Sequence, residues 1–268
     1  GTLLQTSVVL FSVRTLSRSR QHRMLLSFYL GATFAIVLAY LGTSLKLLKL
    51  LHGAAGDAVN VSFFVASIWI MCFAIMGVRL VISMPLALRA NWIFRMTEIR
   101  GVTAYLSAIR RAFFVLAAIP AWLLMAVLFL FRWPTWRIAG HLLLLALVGM
   151  IVVELSLYGF HKLPFTCSYL PGQSKVHVVF WGCLLVWVPL VAARFEMRML
   201  SKPLDFIGIL ILLGLVEAGV RWRTTAAAKS AEKLTFEEEY PPELFSLNLL
   251  QNVGVPLAHS ASSSSKSL

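Results

Sequence analysis

Few side chains in this chain could do chemistry, and most stand where water is scarce. Glu154 lies inside an apolar run at 138–160, six residues before its end. A carboxyl in such a run must pair with a cation, face a polar cavity or keep its proton. Glu154 is therefore the principal buried polar candidate, either as a structural bond between helices or as the lining of a transport path. Glu217 is less informative, because Arg221 follows one turn later and an i,i+4 pair accounts for it. His141 stands near the start of the same run as Glu154 and reads as an interfacial residue rather than a proton carrier.

The segment HKLPFTCSYLPGQSKVH places Cys167 near His161, the residue types of a thiol nucleophile and its base. No third residue is at hand to orient them. With Lys162, Pro164, Pro171 and Gly172 alongside, the segment is expected to be a turn-rich structural loop. Cys72, Cys167 and Cys183 have no metal-like spacing, so neither a zinc site nor a disulfide framework is expected. The phosphate-binding pattern GxxxxGK followed by Ser or Thr is absent, as are HExxH and GxSxG. No catalytic residue, cofactor or metal is therefore expected.

The elements that must hold these groups are six apolar runs, at 24–42, 61–78, 112–131, 138–160, 176–193 and 206–220. A helix rises about 1.5 Å per residue, so roughly 20 apolar residues cross a 30 Å hydrocarbon core. Hydrophobic residues make up 59% of the chain and charged ones 13%, against about 25% charged in soluble domains. The expected fold is all-α: a polytopic bundle of about six transmembrane helices. The formal charge of +13 comes from cations that flank these runs, which argues against nucleic acid as the partner. With six spans, seventeen Lys and Arg share a side with the N-terminus and seven lie opposite, which places both termini in the cytoplasm. Membrane lipid is the expected neighbour throughout, and a bacterial inner membrane the expected location.

Three segments complete the organisation. Residues 1–23 carry Leu4, Val8 and Phe11 at helical spacing, followed by Arg14, Arg18, Arg20 and Arg23. They read as an interfacial amphipathic helix or as the end of a missing upstream segment, a chain beginning at Gly1 being expected to be a piece of a longer one. The transmembrane domain then occupies 24–222 and includes a cytoplasmic amphipathic stretch, 83–111. In that stretch Arg89, Trp92, Arg95, Glu98 and Arg100 are the candidates for docking a partner, and for anchoring in headgroups. Residues 223–268 form a polar tail with an acidic cluster and a serine run, expected to be largely disordered. Gly31, Ala35 and Ala39 in the first span, and Gly214 and Ala218 in the last, form small-residue stripes. They are expected to be internal packing seams, with a homodimer interface as the alternative.

The segments SRSRQHRMLLSFYLG, LRANWIFRMTE and HKLPFTCSYLPG resemble an uncharacterised group of multi-pass proteins associated mainly with Acidobacteria. That resemblance implies no activity. A second resemblance, of architecture, is to the membrane subunits of type 2 ABC exporters. It implies a dimerising permease driven by a separate ATPase subunit, with 3–23 as the interfacial helix and 89–110 as the coupling helix. The connection from Glu196 to Asp205 lacks the re-entrant helices of those exporters. Two functions follow as expectations: a permease-like subunit in which Glu154 lines the path, or a membrane scaffold that binds anionic lipid or a protein partner.

Overall fold

The computed structural model describes residues 3–52, 56–84, 102–132, 136–158, 175–200 and 202–230. Among the described residues all regular structure is helical. Helix α1 spans Leu3–Arg18, α2 Arg20–His52 and α3 Gly56–Ile82. Helix α4, Val102–Phe113, continues through a single π-helical turn, Phe114–Ala118, into α5, Ile119–Arg132. Then come α6, Trp136–Leu157, α7, Lys175–Met199, and α8, Pro203–Ser230.

Four stretches are long and apolar enough to cross a membrane: Arg20–Ser44, Val61–Ile82, Thr103–Phe129 and Trp136–Leu157. The architecture is that of a helical membrane protein, and these four coincide with the first four expected spans. The remaining two expected runs fall on α7 and α8, which are helices of 25 and 28 residues.

Pro120 explains the π turn. It has no N–H to donate to the carbonyl four residues earlier, and its ring crowds that carbonyl. Widening the preceding turn relieves both. A second proline, Pro189, sits inside α7.

Helix directions follow from side-chain contacts. Tyr29 meets Gly77 and Tyr40 packs edge-on against Trp69, so α2 runs antiparallel to α3. Ser67 meets His141 while Met71 meets Gly149, so α3 and α6 run parallel. Phe206 meets Gly140 and Thr224 meets Glu154, which makes α8 parallel to α6 as well. Helix α3 is the centre of the bundle, packing on α2, α6 and α7, with Val65, Met71, Ile75, Val81 and Ile82 sealed from solvent.

Helix α1 does not lie apart. It packs along α4, with Gln5 Nε2 donating to Ser107 Oγ at 3.0 Å. Ser12, Thr15 and Leu16 are buried, while Arg14, Arg18, Arg20 and Arg23 are exposed. The helical bonds carry on across Ser19, whose N–H donates to Thr15 O at 2.9 Å and whose carbonyl accepts from Arg23 N–H at 3.1 Å. Residues 102–111 of the expected amphipathic stretch thus belong to a helix continuous with the third span. Leu106 and Ile109 of its expected apolar face are buried.

The small-residue stripes require a correction. Gly31, Ala35, Ala39 and Ala218 are exposed, and a Cβ at Gly31 or Gly214 would meet nothing within 4 Å. These stripes face away from the rest of the described chain and are not internal seams. The close approaches occur elsewhere, at Gly77, where a Cβ would lie 2.8 Å from Tyr29 Cδ1, and at Gly140, where it would lie 2.7 Å from Leu200 Cδ2. A Gly77→Leu substitution is therefore expected to destabilise the bundle by about 1–3 kcal/mol through overpacking. Gly31→Leu should leave the monomer's stability near wild type. Thermal unfolding of both variants in detergent checks the contrast.

Candidate functional site

Two buried polar clusters occupy opposite ends of α6. The first contains Glu154, 1% exposed in the last turns of that helix. Arg110 reaches it from α4: Nη2 donates to Oε2 at 2.9 Å, and Nε lies 2.5 Å from Oε1 as an ion-pair contact without the alignment of a hydrogen bond. Thr224 Oγ1 from α8 lies 3.0 Å from the same Oε2 and 2.9 Å from the carbonyl of Arg221 on its own helix. Of the fates open to an intramembrane carboxyl, this one pairs with a cation. A charge-assisted hydrogen bond fixes orientation as well as distance. Arg110 retains 13% exposure, which keeps its charge near solvent while its partner is enclosed.

The second cluster overturns the interfacial reading of His141. Its ring is 0% exposed, stacked on Phe64 at 3.9 Å between centroids and met edge-on by Phe129 at 5.4 Å. Nε2 lies 2.7 Å from Ser67 Oγ on α3, and Nδ1 lies 2.7 Å from Glu196 Oε1 on α7. Glu196 is 2% exposed, so it belongs to a packed helix and not to the charged connection toward Asp205. The reason is geometric. α7 extends to Met199, three residues beyond Glu196, and turns the carboxyl inward beside α6.

A serine, a histidine and a carboxylate in this order have the spacing of a nucleophilic triad. Two features deny that role here. Ser67 is 0% exposed, and its hydroxyl lies 2.7 Å from the carbonyl of Phe64 on its own helix. Ser67 also sits mid-helix, where neighbouring N–H groups serve the helix and leave no oxyanion donors. The arrangement ties α3, α6 and α7 together.

A third polar contact lies at the junction of α1 and α2. His22 Nδ1 is 2.6 Å from Ser19 Oγ, and Nε2 is 3.4 Å from the carbonyl of Met84 past the end of α3. Glu217 and Arg221 stand 3.6 Å apart on α8, with Arg221 exposed. Among the described residues no three His, Cys, Asp or Glu side chains gather as a metal site requires. Arg89, Trp92, Arg95, Glu98 and Arg100 lie outside the described residues, as do His161, Lys162, Pro164, Cys167, Pro171 and Gly172.

Neither Arg110 nor the Ser67–His141–Glu196 chain was singled out by sequence. Arg110 lies two residues before the third apolar run, at a depth a long side chain can bridge to Glu154. His141 lies three residues inside the start of the fourth run and Glu196 three beyond the end of the fifth. Antiparallel helices bring such mirrored positions to one level. No known protein family, curated protein or solved structure gave a match to the chain.

Removing one partner of a buried ion pair leaves an uncompensated charge and costs about 3–5 kcal/mol. Arg110→Leu is expected to fall in that range, whereas Thr224→Val should cost about 1 kcal/mol. The double variant Arg110→Leu with Glu154→Leu should be more stable than Arg110→Leu alone. A double-mutant cycle read by thermal or denaturant unfolding in lipid nanodiscs measures the coupling.

Proposed function

We propose that this protein is a non-transporting membrane scaffold whose basic end holds anionic lipid headgroups, in a bacterial inner membrane with both termini cytoplasmic. The observation that carries this reading is the closure of Glu154 by Arg110 and Thr224. A carboxylate lining a permeation path needs an open polar face, and this one is enclosed by three helices.

Support for the lipid comes from the end of the bundle where α1 passes into α2. Arg14, Arg18, Arg20 and Arg23 are exposed there beside exposed Leu10, Phe11, Val13 and Met24. Apolar side chains that can enter the acyl boundary, next to cations that can meet phosphates, fit an anionic interface. Each such cation contributes about 1 kcal/mol near an anionic surface. The excess of Lys and Arg on the side of the N-terminus in a six-span arrangement agrees in sign.

The test is purification from native membranes in mild detergent, with mass spectrometry of lipids and proteins that stay bound. Enrichment of anionic over zwitterionic phospholipid is expected, falling several-fold when Arg14, Arg18, Arg20 and Arg23 are all changed to Gln. A stoichiometric ATPase that is lost on charge reversal of Arg95 and Arg100 would overturn the scaffold reading in favour of the permease-like subunit.

A further inference from the structure

The two halves of the α1–α2 junction repeat one order of side chains. Ser19 belongs to neither helix: its N–H closes α1 on Thr15 O, and its carbonyl accepts from Arg23 N–H to open α2. Before it stand Arg14 and Arg18, four residues apart on α1. After it stand Arg20 and Arg23, three apart on the first turn of α2. Residues so spaced on a helix are surface neighbours, so each couple sets two like charges side by side, which is destabilising unless an anion joins them.

The chain offers no such anion nearby. Residues 1–56 contain no Asp or Glu, and α4, which packs along α1, has none either. All four arginines are exposed, and among the described residues none has an ion-pair partner. Beyond each couple, apolar side chains are exposed as well: Leu10, Phe11 and Val13 before Arg14, and Met24 and Phe28 after Arg23. The order along the chain is therefore apolar, cationic, Ser19, cationic, apolar. His22 Nε2 lies 3.4 Å from the Met84 carbonyl past the end of α3, so the junction stands at the end of the bundle, where headgroups meet a membrane protein.

We infer that this junction is a binding site for a tetra-acyl lipid whose two phosphates are joined by a short alcohol. The inference rests on the lipid reading above and names the headgroup. Such a lipid has the same order as the junction: acyl chains, phosphate, linker, phosphate, acyl chains. Each arginine couple takes one phosphate, whose oxygens match the guanidinium fork. The acyl chains of each half lie against the apolar residues beyond its couple, and the linker crosses at Ser19, between exposed Ser17 and Gln21. A lipid with one phosphate answers one couple and leaves the other bare. With both phosphates in one molecule, the second binds at high effective concentration, and α1 is tied to α2 across a residue that neither helix holds. A soluble diphosphate carries the charges but leaves the apolar flanks uncovered.

The experiment titrates the full chain in mild detergent with lipid and counts bound molecules by native mass spectrometry. The probes are diphosphatidylglycerol and phosphatidylglycerol with the same acyl chains, compared at equal phosphate concentration. Wild type should prefer the two-phosphate lipid by about tenfold or more. Arg14→Gln with Arg18→Gln should abolish that preference while single-phosphate binding persists, and Arg20→Gln with Arg23→Gln should do the same. Inorganic diphosphate at the lipid's concentration should displace neither lipid; displacement would overturn a lipid as the occupant. Equal binding of the two lipids by wild type, or a preference that survives in either double variant, would overturn the two-phosphate site and leave the lipid reading standing. If wild type binds neither lipid, both fall together. The wild-type comparison needs no variant and decides even if a variant fails to fold.

Discussion

A carboxylate in hydrocarbon has no water to turn to, and the arrangement of α4, α6 and α8 follows from how Glu154 is answered. Its two oxygens are claimed by a guanidinium from α4 and met by a hydroxyl from α8. Those bonds form only at one rotation of each helix about its axis. Apolar packing alone sets such rotations weakly in lipid, because a leucine facing a neighbour and a leucine facing an acyl chain differ little in energy. The same logic holds at the other end, where Ser67, His141 and Glu196 fix α3, α6 and α7. Helix α6 joins the two clusters, and the thirteen residues from His141 to Glu154 make about 20 Å of rigid spacer. Pinned at both ends, α6 orients α3, α4, α7 and α8.

Between those ends the bundle is closed by shape. Met71 fills the space over Gly149, the Tyr29 ring covers Gly77, and Leu200 with Phe206 covers Gly140. α2 behaves differently: Phe28, Phe34, Ile36 and Leu38 turn outward, as a helix at the lipid boundary should. Its glycine and alanines turn outward with them. Small residues permit close approach without showing which neighbour makes it, and only a contact partner distinguishes a seam from a bare face.

Much of the fold was legible, and the reasons lie in particular residues. Runs such as 61–78 are apolar on every side, so their helices were visible without any periodicity. Glu154 was visible because a charge in such a run stands out. Its partner was harder to find, since Arg110 lies at the edge of a run where basic residues are ordinary. His141 and Glu196 were obscured for a related reason. Each sits near the end of an apolar run, where a polar residue is unremarkable by itself, and only the crossing of two helices makes them a pair. The side chain of Ser67 gave no signal at all, because serine is small enough to pass unnoticed in a span.

The widened turn at Phe114–Ala118 shifts the phase of the helix that contains it. One extra residue in a turn rotates everything beyond it by about 100° relative to an unbroken α-helix. Below it Arg110 points to Glu154 on the last turns of α6, and above it Trp122 Nε1 donates to the carbonyl of Leu142 near the first. In an unbroken α-helix residues 110 and 122 would stand roughly 120° apart, and the extra residue takes up about 100° of that, so both side chains face α6. Pro120 thus acts as a twist inserted in a rod, turning two distant side chains of one continuous element toward the same neighbour.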